Sequence, residues 1–124
     1  MTFNEPTEAA FSVHRRDVDD IVVLAASGRL DSNTCYQFER TILDVIEPDI
    51  AALVVDLCDL FYISSAGLRV LLLAARKSTA MDKKLVLCGL TSHVREVFEI
   101  SGFLSILSIC GSLDEALQNV RGIV

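Results

Sequence analysis

One stretch constrains the fold more than any other: Ala52 to Lys77, ALVVDLCDLFYISSAGLRVLLLAARK. Leu53, Val54 and Val55 form a short apolar run ending at Asp56, the pattern of a strand covered on both faces, as in a parallel sheet. Leu68, Leu71, Leu72 and Ala75 follow at helical spacing and predict one apolar helix face. Between them lie Ser64, Ser65, Ala66 and Gly67. A hydroxyl therefore falls where a buried strand hands over to a helix N-terminus, a junction at which α/β proteins present chemistry or bind anions.

The rest of the chain supplies a frame for that junction. Phe11 to Val13 and Ile21 to Leu24 read as two strands joined by a turn in the charged run Arg15 to Asp20, with Gly28 closing the second. Asp31, Ser32 and Asn33 are all good helix N-caps. Cys35, Phe38, Ile42 and Val45 then give one helix face, stopped by Glu47 and Pro48. After the central unit, Lys84 to Cys88 reads as a buried strand ended by Gly89. Thr91 or Ser92 caps a helix with apolar Val94, Val97 and Phe98, and Gly102 sits at its left-handed C-terminal cap. Leu104 to Ile109 reads as a last strand. Ser112 to Glu115 is a capping box opening a helix with apolar Leu113, Ala116, Leu117 and Val120. The order is β-β-α-β-α-β-α-β-α: an α/β domain with a mixed, mostly parallel sheet covered by helices on at least one face.

At 124 residues and 52% hydrophobic, the chain suits a single domain, 1–124, with a polar, flexible segment at 1–9. A formal charge of −6 disfavours non-specific nucleic-acid binding and a polybasic membrane anchor. The N-terminus lacks the pattern of a signal peptide, and the apolar run near Leu68 to Ala75 is too short to span a bilayer, so a cytoplasmic location is expected. Cys35, Cys58, Cys88 and Cys110 show no C-x-x-C spacing and read as buried thiols.

Enzyme readings fail on spacing. A nucleophile elbow needs glycine where Ile63 stands. Neither His14 nor His93 is directed at Ser65 by anything in the sequence. Cys88 to Arg95 resembles a thiolate phosphatase loop but has six intervening residues where five are needed. No phosphate-binding glycine motif and no metal-ligand spacing is present, so neither a cofactor nor a metal is expected. Asp56 and Asp59 flank the junction as a possible acid pair, but Asp56 reads more naturally as the residue that ends the strand and bonds free N–H groups in the loop.

A switch reading fits better. A phosphoserine in the first turn of a helix meets free N–H groups and the positive end of the dipole, and Arg69, one turn on from Ser65, could pair with it. The wide apolar arc of the following helix includes Val70, the candidate for an exposed docking residue.

The element order, Gly28 to Asp31 before the first helix and Ile63 to Leu68 before the second resemble the STAS domain over Phe11 to Val120. Within that family the closest similarity is to bacterial anti-sigma factor antagonists. The resemblance implies a non-enzymatic, phosphorylation-controlled partner of a GHKL-type serine kinase that is also the anti-sigma factor, with a PP2C-type phosphatase reversing the modification. Matched to the family's D-S-[ST]-G-like motif, the phosphoacceptor is Ser65, Ala66 fills the Ser/Thr slot, Gly67 is the glycine, and Ser64 replaces the usual aspartate. Asp31 and Asn33 are implied as kinase contacts, with Ser64, Ala66, Gly67, Arg69 and Val70 completing the partner-binding set. The alternative within the family is a non-phosphorylated STAS subunit of a lipid-transport complex or a signalling scaffold.

Overall fold

A computed structural model of the chain describes residues 10–122; the segment 1–9 expected to be flexible lies outside them. The elements are β1 (Phe11–Val18), β2 (Ile21–Leu30), α1 (Cys35–Val45), β3 (Ala52–Ile63), α2 (Ser65–Ala80), β4 (Lys84–Cys88), α3 (Ser92–Ser101), β5 (Ile109–Cys110) and α4 (Leu113–Val120). The strands form one sheet in chain order. β1 is antiparallel to β2, and every other neighbouring pair is parallel. This is the order and the mixed sheet that the sequence implies.

Two apolar layers flank the sheet. Val22, Leu24, Leu53, Val55 and Leu87 join Phe38 and Ile42 of α1, Val70 and Leu71 of α2, and Val94 and Phe98 of α3 in the larger core. On the other face Ile21, Val23, Val54, Val86 and Cys88 meet Ala116, with Leu113, Leu117 and Val120 of α4 alongside. Burial on both faces explains the unbroken apolar run Leu53 to Val55.

Several local expectations hold. The buried face of α1 is Cys35, Phe38, Ile42 and Val45. Gly102 adopts φ +81° at the end of α3, the left-handed conformation a helix C-cap favours. Ser112 Oγ accepts the Glu115 N–H at 3.2 Å, and Glu115 Oε1 reaches back to the Gly111 N–H at 2.9 Å, one residue before the N-cap.

Others are corrected. The β1–β2 turn is confined to Asp19 and Asp20, because Arg15, Arg16 and Asp17 stay in the edge strand β1, paired to Leu24, Val23 and Val22. Charge on an exposed edge strand discourages a further strand from adding there. β2 continues past Gly28 to Leu30. Gly28, at φ +93°, lies against the Ala10 carbonyl so closely that a Cβ would overlap it. β3 does not end at Asp56 but runs on to Ile63. It leaves β4 at the Asp56–Cys88 pair and continues beside β2 through two register shifts. Asp56 Oδ1 accepts the Cys58 N–H at 3.1 Å, so Asp56 does bond a nearby amide, but inside the strand. The last strand shrinks to Ile109–Cys110 because Phe103–Ser105 wind into a 3-10 turn.

The most consequential correction concerns α2. Its buried positions are Gly67, Leu68, Val70, Leu71, Ala74 and Ser78, and Val70 is fully buried. The buried stripe is therefore centred near Val70 and Ala74, rotated from the expected face, and leaves Leu72 and Ala75 only half-buried. Val70 is core and no docking residue.

Candidate functional site

The end of β3 and the start of α2 sit beside the β2–α1 loop. Leu30 and Ile63 are register partners, and the Ser64 N–H donates to the Leu30 carbonyl at 2.9 Å. Ser64 is the N-cap of α2, extended at φ −98° and ψ 175°. Its Oγ accepts the Gly67 N–H at 3.4 Å, and its carbonyl accepts the Leu68 N–H at 3.0 Å. The cap satisfies one of the amides left free at a helix start. Ser65, the first residue of the helix, is exposed, and no side-chain hydrogen bond among the described residues engages its hydroxyl.

Gly67 is what lets this turn seat on the sheet. A Cβ there would come to 2.8 Å from Leu30 Cγ and 2.9 Å from Ile63 Cγ1. Both neighbours are buried, so neither has room to withdraw. Gly67 is itself buried and shapes the surface without being part of it.

The adjoining loop is closed by its own side chains. Asp31 Oδ1 accepts the N–H groups of Asn33 at 2.9 Å and Thr34 at 3.2 Å. Thr34 Oγ1 donates to the Arg29 carbonyl and accepts from the Asp31 N–H, each at 2.9 Å. Thr34 holds the N-cap position of α1 without a side-chain cap bond; Asp31 instead caps the turn that precedes the helix. Its Oδ1 is thereby occupied and its Oδ2 lies 3.8 Å from Arg29 Nε, while Ser32 and Asn33 remain exposed.

Charge around Ser65 is sparse. Arg69 NH1 lies 3.8 Å from Glu39 Oε1 of α1, with its side chain 66% exposed, a pair too solvated to hold the guanidinium firmly. Ala66 is half-buried against the core. The structure thus brings Asp31, Asn33, Ser64, Ser65, Ala66 and Arg69 to one end of the domain and places Gly67 and Val70 beneath it.

Two features escape the sequence reading. Tyr36 on α1 is 76% exposed, an aromatic of the kind that anchors protein interfaces. Its signal was available, since it falls outside the Cys35, Phe38, Ile42 phase. Arg29 also lies 4.1 Å above the Tyr62 ring, which stacks on His93 at 5.4 Å. That ladder depends on the β2–β3 register, to which no local pattern points.

Of the four cysteines expected to be buried, Cys35 and Cys88 are, Cys110 is half-buried, and Cys58 is exposed, against that expectation. Burial, then the charge of Asp56, pushes the buried Cys88 thiol up to about 12. Burial and a hydrogen bond to Asp56 push Cys58 up to about 11. A phosphatase-type nucleophile needs a depressed thiol pKa, so Cys88 is poorly suited to that role. Cys58 is exposed, yet its alkylation by iodoacetamide should be slow at pH 8 and climb about tenfold per pH unit toward pH 10. A rate at pH 8 matching free cysteine would contradict this.

Among the described residues no group of three or more histidine, cysteine, aspartate or glutamate side chains could hold a metal ion, and no helix is long and apolar enough to cross a membrane. The chain belongs to the STAS domain family, whose model matches residues 12–116. It is 42% identical over 99 residues, 80% of this chain and 85% of the relative, to BtrV of Bordetella bronchiseptica, a protein named as an anti-sigma factor antagonist. The fold is similar to that of an anti-sigma factor antagonist from Mycobacterium paratuberculosis, with a TM-score of 0.85 at 24% identity over 95% of this chain and 99% of that one. It is also similar to the unphosphorylated anti-sigma factor antagonist SpoIIAA, with a TM-score of 0.77 at 25% identity over 91% and 99% of the two chains.

Proposed function

We propose that this chain is an anti-sigma factor antagonist whose grip on a GHKL-type serine-kinase anti-sigma factor is controlled by phosphate on Ser65, with a PP2C-type phosphatase restoring the free hydroxyl. One observation carries the reading: of two adjacent serines, Ser64 is engaged as the helix cap and Ser65 is exposed with an unengaged hydroxyl. A phosphate on Ser65 would stand at the first turn of a sixteen-residue helix, where the dipole favours negative charge. The contact surface in this reading comprises Asp31, Asn33, Tyr36, Ser64, Ala66 and Arg69. The 42% identity to BtrV supports the assignment to partner switching, in which the unphosphorylated antagonist binds the kinase and frees the sigma factor. The chain acts by binding and is not an enzyme.

With cognate kinase and ATP, the protein should take up a single phosphate, on Ser65. Intact-mass measurement with fragment mapping reads this directly, and Ser65→Ala should take up none. Phosphate on Ser64 would mean that breaking the α2 cap precedes modification, and the assignment would move by one residue.

A further inference from the structure

At the opposite end of the sheet the β4–β5 ladder stops early. The Leu87 N–H donates to the Ser108 carbonyl at 2.9 Å and the Gly89 N–H to the Cys110 carbonyl at 3.4 Å. Peptide groups alternate in direction along a strand, so the Leu85 N–H and carbonyl face the same side as those of Leu87. Among the described residues no hydrogen bond reaches either Leu85 group from that side. The segment that would have continued β5 is engaged elsewhere: the Ile106 and Leu107 N–H groups both close onto the Phe103 carbonyl, at 3.1 and 3.0 Å. The edge of β4 is left open where β5 peels away.

The gap is a cavity of about 400 Å³ between the end of α2, the start of β4 and the end of α4, a volume in the range of ligand and peptide sites. Ser78 lines it, is only 1% exposed, and its hydroxyl has no partner. Such a group is normally bonded when buried. Lys83 and Lys84 stand on the wall, and no carboxylate of the described residues lines the cavity, on a chain whose formal charge is −6. The Lys84 ammonium donates to the carbonyl of Asn119, itself on the cavity wall, at 3.3 Å, while the Lys83 ammonium donates outside the cavity, to the Pro48 carbonyl at 2.9 Å; both bonds are exposed, so either ammonium can turn to an arriving carboxylate.

We propose that this open edge of β4 is a strand-addition site for an extended acidic segment of a partner protein. The segment's backbone would pair with the Leu85 N–H and carbonyl, continuing the sheet where β5 fails to, and its carboxylates would meet Lys83 and Lys84. The lysines fix the sign of the partner's charge, and the unpaired strand rung fixes its extended conformation. Leu85 pairs with Leu53, ten residues before Ile63 on β3, or about 33 Å along the strand from the Ser65 end. An occupant here leaves the Ser65 surface free, so the site stands independently of the switch reading.

The test is an NMR titration of the ¹⁵N-labelled full chain with a capped five-residue peptide alternating glutamate and valine. Saturable shifts are expected at the Leu85, Leu87 and Ser108 amides, none at Ser65, and slowed exchange of the Leu85 N–H. The same peptide with N-methylated valines, which cannot donate the ladder bonds, should bind about tenfold more weakly. A lysine–valine peptide should bind more weakly still, and Lys83→Glu with Lys84→Glu should reverse that charge preference. If the double variant does not fold, the comparison of the two peptides on the wild-type chain decides the question of charge. Absence of a Leu85 response at millimolar peptide overturns the proposal. Equal binding of the methylated peptide overturns it too, and so does equal binding of glutarate alone, which would make the cavity a small-anion pocket.

Discussion

Phosphorylated on Ser65, the protein should bind its kinase two to three decades more weakly while its melting temperature hardly moves. The surface around Ser65 presents a neutral, exposed hydroxyl beside the Ser64 cap. A partner shaped to that hydroxyl would enclose a phosphate without compensating charge, at a cost of several kcal/mol, and each decade of affinity is about 1.4 kcal/mol. The isolated domain bears no such cost, because the phosphate stays in water at the helix N-terminus, with Arg69 one turn away and only loosely tied to Glu39. Calorimetry with the kinase and thermal melting of the free domain, on phosphorylated and unphosphorylated protein, separate the two effects. Unchanged binding would remove Ser65 from the interface, and a melt lowered by many degrees would mean the phosphate acts through the fold. Ser65→Asp should reproduce only part of the loss, since a carboxylate carries less charge and fewer oxygens.

Val70→Asp should unfold the domain or bring it close to unfolding. Val70 is fully buried among Leu71, Ala74 and their neighbours in the larger core, with no cation in that cluster to meet a carboxylate. Burying an unpaired charge costs several kcal/mol, against a total stability of about 5–15 kcal/mol for a domain of this kind. Urea denaturation should show the midpoint collapsing, and any lost kinase binding would follow from lost structure. Arg69→Asp, one residue earlier and exposed, should change stability by less than about 0.5 kcal/mol. A Val70→Asp protein with a wild-type midpoint would contradict the packing described for α2.

The placement of these two residues shows where sequence reasoning reaches and where it stops. The position of Ser65 at the first turn of α2 was legible because a buried strand, small polar residues and a helical repeat follow one another in a recognisable order. Gly102 and Ser112 were legible for the same reason, since caps are local chemistry. Val70 was not, because Leu68 to Ala75 is apolar almost all the way round and periodicity then leaves the helix's rotation undetermined. Asp56 looks like the end of a strand and concealed the second half of β3. Among the described residues that half pairs only with β2 along its length, and its other edge is met by Thr91, whose hydroxyl donates to the Leu60 carbonyl at 2.9 Å. Apolar Leu104 to Ile109 suggested a strand, yet the chain there closes on Phe103 instead. Each miss concerns a partner distant in sequence.

The unequal cover of the sheet has a consequence for how the molecule comes into being. Among the described residues three helices, all preceding β5, close one face, whereas the other is roofed by α4 alone, the last of these helices in chain order. During synthesis the strands that carry Ile21, Val23, Val54 and Val86 leave the ribosome well before Leu113–Val120 does. At about 5–20 residues per second, the nascent sheet spends seconds with one side finished and the other bare. Chaperone engagement should therefore concentrate on that side and end when the last eight-residue helix folds over it.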